Sequence, residues 1–333
     1  MITLNRCPST LAAGYVTYSP IARKRLFERK SISPYLPYHP IEENVEDAKL
    51  FLKNRERMSL SGVQSKYSLV TRDGRFELSK EGEQGTYILK PKLNDFIYRE
   101  YSPANENLTM QLAEQVYKIE TAANGLCFFL NDEMAYITRR FDVASNGTKY
   151  RVEDFASLAG LTSDNAGKEF KYDVLSYEDI AELIQKYVPA WKVEMLKFFD
   201  IVIFNFLFSN GDAHLKNFSL LETPDGDFKL APAYDLINTS MHLPDDTIFA
   251  LRKGLFKGGN QTNGPMGIIT GNTFVEFGKK IGLPEKTVKK EIEKFCATYN
   301  KAETLISNSF LSEELKNQYR RMYHTRRDSY LKG

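Results

Sequence analysis

Ser209-Asn-Gly-Asp-Ala-His-Leu-Lys-Asn-Phe-Ser-Leu-Leu-Glu-Thr-Pro-Asp-Gly-Asp-Phe-Lys-Leu-Ala-Pro-Ala-Tyr-Asp235 places two acids and an amide where local folding can bring them together. Just upstream, Phe198 to Phe208 is almost wholly apolar and reads as a buried core helix that delivers a loop to the surface. At 11 residues, broken by Asp200 and Asn205, it is too short to cross a bilayer. Beyond the loop, Phe218–Glu222 and Asp227–Leu230 read as short strands, and Thr223-Pro-Asp-Gly226 has the chemistry of a hairpin turn. The returning strand ends at Ala231-Pro-Ala-Tyr-Asp235, which brings Asp235 back beside Asn217.

Phosphoryl transfer from ATP needs a carboxylate facing the attacking hydroxyl, plus an amide and a second carboxylate that hold magnesium. Asp212 and Asn217 stand in the D-x4-N spacing of a kinase catalytic loop, and Asp235 supplies the second acid. Taken singly, Asp212 is a turn or cap residue, Asn217 a cap, and His214 a satisfied loop histidine. As a set, astride a hairpin and behind a buried helix, they imply an ATP-dependent phosphotransferase.

Other parts of a phosphate site lie earlier in the chain. Met58-Ser-Leu-Ser-Gly-Val-Gln-Ser-Lys66 precedes a strand, Tyr67 to Arg72, an Asp73-Gly74 turn and a second strand. A small, hydroxyl-rich segment can wrap backbone N–H groups around phosphate oxygens. With one glycine it matches neither G-x-G-x-x-G nor a Walker loop, and taken alone it reads better as an ordinary serine-rich turn. Gly85 to Lys90 is a β-type run ending in lysine, which is either a strand-end residue reaching solvent or a buried ammonium that binds α- and β-phosphates. Ala104 to Tyr117 reads as a helix with Leu108, Leu112, Ala113 and Val116 on one stripe. Glu106, in its first turn, either complements the helix dipole or pairs with Lys90. Met134 to Phe141 is a strand leaving the first lobe, and Arg139 to Asp142 is the natural hinge against which adenine would lie.

Composition is consistent with a sizeable core: 333 residues, 42% hydrophobic and 13% aromatic. The net charge of +2 is too balanced to make nucleic acid the direct ligand, and Arg23-Lys-Arg25 and the arginines from Arg320 to Arg327 read as solvated clusters. Three widely spaced cysteines (Cys7, Cys127, Cys296) argue for a reducing cytoplasm and against a zinc site. Neither a signal peptide nor a membrane span is evident. The expected fold class is α+β: a two-lobed, protein-kinase-like fold with a small strand-rich N-lobe and a mainly helical C-lobe. Residues 1–57 form a leading segment, irregular over the proline-rich Ser31–Pro40; 58–145 the nucleotide-clamping N-lobe; 146–333 the C-lobe carrying the catalytic loop. Helices are expected over Glu178–Val188, Val193–Phe208, Glu276–Ile281, Glu285–Leu305 and Ser312–Leu331, with Lys257–Pro265 a mobile loop.

S-L-S-G-V-Q-S-K, Y-I-L-K-P, N-E-N, R-R-F-D, E-D-F-A-S-L-A-G, N-G-D-A-H-L-K-N-F and L-A-P-A-Y-D follow one another from about Met58 to Asp235, more than half the chain. In that order they resemble the HipA-type serine/threonine kinases, toxins of bacterial toxin–antitoxin loci. With about 57 residues before the phosphate loop, the chain looks closest to the compact HipT-like branch, whose N-terminal subdomain is supplied by a separate small, HipS-like protein. The resemblance implies that Asp212 is the catalytic base, that Asn217 and Asp235 ligate Mg2+, and that His214, Leu215, Lys216 and Tyr234 line the nucleotide side. It implies that Lys90, held by Glu106, grips the phosphates of ATP, that Arg139, Arg140 and Phe141 hold adenine, and that Ser61, Gly62, Val63, Gln64, Ser65 and Lys66 form the phosphate loop. Ser59 and Ser61 match serines that are autophosphorylated in the HipT-like branch, and a phosphate there would repel nucleotide. The hinge position that is often acidic in HipA is Arg139 here, a change that a backbone contact to adenine tolerates.

The resemblance further implies a HipB-like DNA-binding antitoxin as partner and an aminoacyl-tRNA synthetase as protein substrate. Three other readings of the residues stay open: an ATP-binding pseudokinase or regulator, a small-molecule kinase, and a metal-dependent hydrolase using Asp212, His214 and Asp235. The first fits poorly because both acids are present, and the last leaves Lys90 and the serine loop without a role.

Overall fold

A computed structural model of the protein describes residues 3–40, 46–47, 49, 51, 65–93, 96–243, 247–259 and 269–332. The smaller lobe is built on one antiparallel sheet of order β2-β1-β3-β5-β4, from β1 (Tyr67–Arg72), β2 (Arg75–Leu78), β3 (Tyr87–Lys90), β4 (Asn124–Phe128) and β5 (Met134–Arg139). Asp73 and Gly74 take φ of 47° and 76°, the left-handed pair that a two-residue hairpin requires, and so fix the β1–β2 register at Arg72 opposite Arg75. The leading segment, including helix α1 (Pro20–Phe27), lies on this sheet. Its Cys7, Tyr18, Leu26, Phe27 and Leu36 share one buried cluster with Tyr67, Phe76, Tyr87 and Ile137.

Helix α2 (Ser102–Gln115) joins the two lobes. Its sequence predicts a single apolar stripe, yet every residue from Ser102 to Ala113 is buried. The polar ones are tolerated because each meets a partner on a different element. Asn107 Nδ2 donates to Asn124 Oδ1 at 3.1 Å in the sheet, Thr109 bonds the Tyr319 hydroxyl at 2.8 Å, and Asn105 Nδ2 donates to the Asn238 carbonyl at 2.8 Å. The helix starts at Ser102, so Glu106 lies past the first turn and the dipole reading of that residue falls.

The larger lobe is mainly helical. Four-residue helices α3 (Phe155–Leu158), α4 (Ser163–Ala166) and α5 (Phe170–Asp173) precede α6 (Tyr177–Tyr187) and α7 (Trp191–Leu207). Helix α7 is the expected core helix, lengthened at its N-terminus: Phe198, Phe199, Phe204 and Phe206 are at most 1% exposed. A small sheet of order β6-β7-β8, from β6 (Val152–Asp154), β7 (Ser219–Glu222) and β8 (Phe228–Leu230), covers its end, and the β7–β8 turn is the Pro-Asp-Gly hairpin with Gly226 at φ 84°. Helices α8 (Gly271–Lys280), α9 (Glu285–Cys296), α10 (Asn300–Asn308) and α11 (Glu313–Thr325) complete the lobe. The single helix expected over Glu285–Leu305 is two. Ala297 and Tyr299 are extended, and the Tyr299 ring turns in against Tyr117, centroids 5.6 Å apart, beside the stacked Tyr117–Phe295 pair. Most of the Lys257–Pro265 loop lies outside the described residues.

Candidate active site

The catalytic-loop candidates follow directly from the end of α7. Ser209 takes the left-handed conformation (φ 52°), which stops the helix and turns the chain outward. Asn210 then holds the turn, its Nδ2 donating to Asn205 Oδ1 at 2.9 Å and its Oδ1 accepting from the Asp212 N–H at 3.2 Å. Thr239 Oγ1 accepts from the Gly211 N–H at 2.7 Å and donates to the Ser209 carbonyl at 3.0 Å. Within a short 3-10 turn, Leu215–Asn217, Asn217 Nδ2 donates to the Asp212 carbonyl at 2.7 Å, so base candidate and amide are locked together.

Asp235 returns as the hairpin predicts. The strand that carries it is stitched to residues 120–122: Ala233 N–H donates to the Glu120 carbonyl at 2.8 Å, and Ala122 N–H to the Ala233 carbonyl at 2.9 Å. Asp235 sits at φ 55°, a conformation aspartate tolerates better than most residues. Its carboxylate receives the Lys90 ammonium at one oxygen and Lys66 Nζ at 3.3 Å at the other. Lys90 Nζ also lies 2.6 Å from Glu106 Oε1, and both side chains are only 4% exposed. The lysine therefore ends β3 in a buried position, with the Tyr136 ring of neighbouring β5 5.2 Å away. Burial opposes the charge on Lys90, but Asp235 and Glu106 outweigh it and raise its pKa. For Asp235 burial is again opposed, by Lys66 and Lys90, which hold the carboxyl far below its usual range. Glu106 is pushed up by burial, against the pull of Lys90.

His214 is buried and its imidazole pKa is lowered by that burial; Nε2 lies 3.9 Å from Asp212 Oδ1, and Nδ1 has no hydrogen-bond partner among the described residues. Tyr234 bonds the Ser219 hydroxyl and donates to the Lys216 carbonyl at 3.0 Å, and its ring lies 5.6 Å from that of Phe141. Lys216 Nζ is 3.8 Å from Asp154 Oδ2. Leu215 departs from the expected lining: its side chain is wholly buried in the C-lobe core. Arg139 and Arg140 leave β5 as the hinge reading requires, but their guanidinium groups are engaged, with Glu28 at 2.5 Å and with Asp142 through two bonds of 2.9 and 2.6 Å. Ser59 and the phosphate-loop residues Ser61, Gly62, Val63 and Gln64 lie outside the described residues; Ser65 and Lys66 lie within them.

Sequence reasoning missed the supports of the loop, Asn205, Asn210 and Thr239, and it missed Tyr172, whose hydroxyl donates to Asp212 Oδ1 at 2.6 Å. Asn210 could have been found from its place beside the loop, but Tyr172 is 40 residues away and carried no signal. The donor set suits a hard divalent cation. Asp235 supplies carboxylate oxygens, which here hold Lys90 and Lys66, and the Asn217 amide donates to the Asp212 carbonyl through its nitrogen, which leaves its oxygen without a hydrogen bond among the described residues.

A two-lobed fold with an acid, an amide and a second acid opposite a clamped lysine defines the kinase class. Residues 58–303 match the HipA-like C-terminal domain family, and the chain belongs to it. A putative kinase of Haemophilus influenzae is 28% identical over 310 residues, covering 89% of this chain and 87% of the relative. A putative kinase of Sinorhizobium fredii is 33% identical over 207 residues, 60% of this chain and 46% of that protein. The serine/threonine-protein kinase toxin HipA of Shewanella oneidensis is 28% identical over 204 residues, 56% and 45%. The chain thus spans about half the length of these last two. Among solved structures, Shewanella oneidensis HipA, from a complex with HipB and operator DNA, matches with a TM-score of 0.64 at 20% identity, covering 82% of this chain and 65% of that one. The Helicobacter pylori proinflammatory kinase CtkA matches with a TM-score of 0.52 at 16% identity, covering 82% and 92%. Both share the fold. Among the described residues no helix is long and apolar enough to cross a membrane.

Proposed function

We propose that this chain is an ATP- and magnesium-dependent serine/threonine protein kinase of the HipA toxin type. The observation that most supports it is the Lys90 ammonium held between Glu106 and Asp235, beside a loop in which Asp212 and Asn217 are tied together. In this reading the Asp212 carboxylate takes the proton of a substrate hydroxyl as its oxygen attacks the γ-phosphorus. The bond to the β–γ bridging oxygen then breaks and ADP leaves. Lys90 turns from Asp235 toward the α- and β-phosphates while Glu106 keeps it in place. Asn217 and Asp235 would hold magnesium, which supplies charge neutralisation on the phosphates. Lys66, at the end of the phosphate loop, joins Lys90 on the same charge, and adenine lies along the chain that leaves β5 at Arg139–Phe141, with Tyr234 opposite.

The family resemblance extends this to a HipB-like DNA-binding antitoxin, a small HipS-like subunit, a cytoplasmic setting and an aminoacyl-tRNA synthetase as substrate. In the same reading Ser59 or Ser61 is autophosphorylated, and a phosphate there would repel ATP. The test is incubation with γ-labelled ATP and magnesium, wild type beside Asp212→Ala. Label enters protein with the wild type and falls by about 10²-fold or more in the variant. Free phosphate released with no protein labelled would point instead to a hydrolase, and nucleotide bound without turnover to a pseudokinase. Phosphoproteomics after expression of the same pair then identifies the substrate.

A further inference from the structure

Three hydrogen bonds hold the main chain of Asp212. Its carbonyl accepts from Asn217 Nδ2 and from the His214 N–H, each at 2.7 Å, and its N–H donates to Asn210 Oδ1 at 3.2 Å. None of them restrains the carboxylate, whose side chain is 48% exposed and which could otherwise turn about both of its torsions. Tyr172 supplies the restraint, its hydroxyl donating to Oδ1 at 2.6 Å. A carboxylate can only accept, so the phenol must be the donor. The other oxygen, Oδ2, accepts from no group among the described residues.

The phenol is itself fixed. Its ring stands edge-on to the His214 imidazole with centroids 4.9 Å apart, the Lys171 ammonium lies 4.9 Å from the ring centre, and the Tyr172 carbonyl accepts from the Arg252 N–H at 3.0 Å. Next to it, Asp173 pairs with Arg252 at 2.9 Å. Burial, reinforced by the Asp212 charge, raises the pKa of the hydroxyl, which keeps its proton. The four-residue helix is thus held to Arg252 by its main chain and by Asp173, and it meets the catalytic loop through the Tyr172 side chain.

We propose that Tyr172 is the positioning residue of the proton-accepting carboxylate: by engaging Oδ1 it fixes the Asp212 side chain so that Oδ2 alone meets the attacking hydroxyl. The inference rests on the reading of Asp212 as base. With Oδ1 engaged, the substrate proton passes to Oδ2; without Tyr172 the carboxylate samples several rotamers, few of them productive.

Tyr172→Phe removes one oxygen and keeps the ring against His214. With γ-labelled ATP and magnesium, kcat should fall on the order of 10²-fold, the scale of a misplaced catalytic group. KM for ATP and the binding of a fluorescent ATP analogue should stay as in the wild type. An unchanged kcat overturns the proposal. So does a loss of analogue binding, or a rise in KM matching the fall in kcat, since either makes the hydroxyl a support of the nucleotide site or of the fold. Asp212→Ala run alongside separates the two claims: activity retained in that variant removes the base assignment itself, whereas a dead Asp212→Ala beside a fully active Tyr172→Phe removes only the positioning role.

Discussion

Lys90 shows at the level of one residue why the site has to be a cluster. An ammonium with a 4% exposed side chain would be held at a cost of several kcal/mol without partners, and Glu106, equally buried, has the same problem with the opposite sign. Each solves the other's, and Asp235 adds a second acid. Lys90→Ala should therefore destabilise the fold by about 3–5 kcal/mol at pH 7, because Glu106 is left buried without its cation. Urea unfolding measures this. The sign of the pH dependence follows from Glu106, which burial already pushes upward. A carboxyl whose folded pKa lies above its unfolded value gives stability that is present at low pH and lost as pH rises through the folded pKa, so the deficit of Lys90→Ala should narrow between pH 7 and pH 5. A deficit that is constant with pH would remove the buried carboxyl as its cause. Asp212, Asn217 and Asp235 were named as candidates by residue type and spacing, whereas Lys90 and Glu106 each had two readings in the sequence, between which their buried pair decides. Tyr172 was not named, since an unremarkable Lys-Tyr-Asp run gives no hint of the carboxylate it will meet.

Elements were legible where local pattern decides them and misread where packing does. The apolar run before Ser209 and the Pro-Asp-Gly hairpin depend on neighbours in sequence, and both formed as predicted. Helix α2 kept its place but not its single stripe, because Asn105, Glu106 and Asn107 each find a partner on a separate element. The break between α9 and α10 comes from a tyrosine drawn into an aromatic cluster, which no periodicity encodes. Helix α8 extends to Gly271, well before the predicted Glu276, and it contains Gly278. There a Cβ would lie 2.5 Å from Val288 Cγ2 on α9 and 3.1 Å from a ring carbon of Phe199 on α7. Alanine is worth roughly 1 kcal/mol over glycine in a helix interior, while overpacking against a stiff β-branched side chain costs about 1–3 kcal/mol. Gly278→Ala should therefore lower the melting temperature. A rise would mean that α8 and α9 can separate at little cost.

Across the whole molecule, stability draws also on charges that take no part in the proposed chemistry. Asp200 lies in the middle of α7, with Oδ2 2.6 Å from Lys294 of α9 and Oδ1 buried without a hydrogen-bond partner among the described residues. Burial pushes its carboxyl up to about 6, against the attraction of Lys294 and with help from Glu291. Since the folded value exceeds the unfolded one, the proton bound in the folded state stabilises it increasingly as pH falls through 6. Asp200→Asn should remove that slope, so the stability difference between variant and wild type changes by roughly 1 kcal/mol between pH 7 and pH 5. Urea titrations at the two pH values read it directly, and parallel curves would place the proton elsewhere.

The sequence by itself determined the fold class, most elements of both lobes and the convergence of Asp212, Asn217 and Asp235 as candidates. These follow from periodicity, turn chemistry and spacing, which are properties of residues close together in the chain. Only the tertiary structure decided that the lysine ending β3 is buried rather than solvated, that Leu215 belongs to the core, and that a phenol steadies Asp212. Such outcomes depend on which surfaces exclude water when distant segments close. Lys90 and Asp235 are 145 positions apart, and the energy of their meeting exists only once the packed lobes have removed the solvent between them.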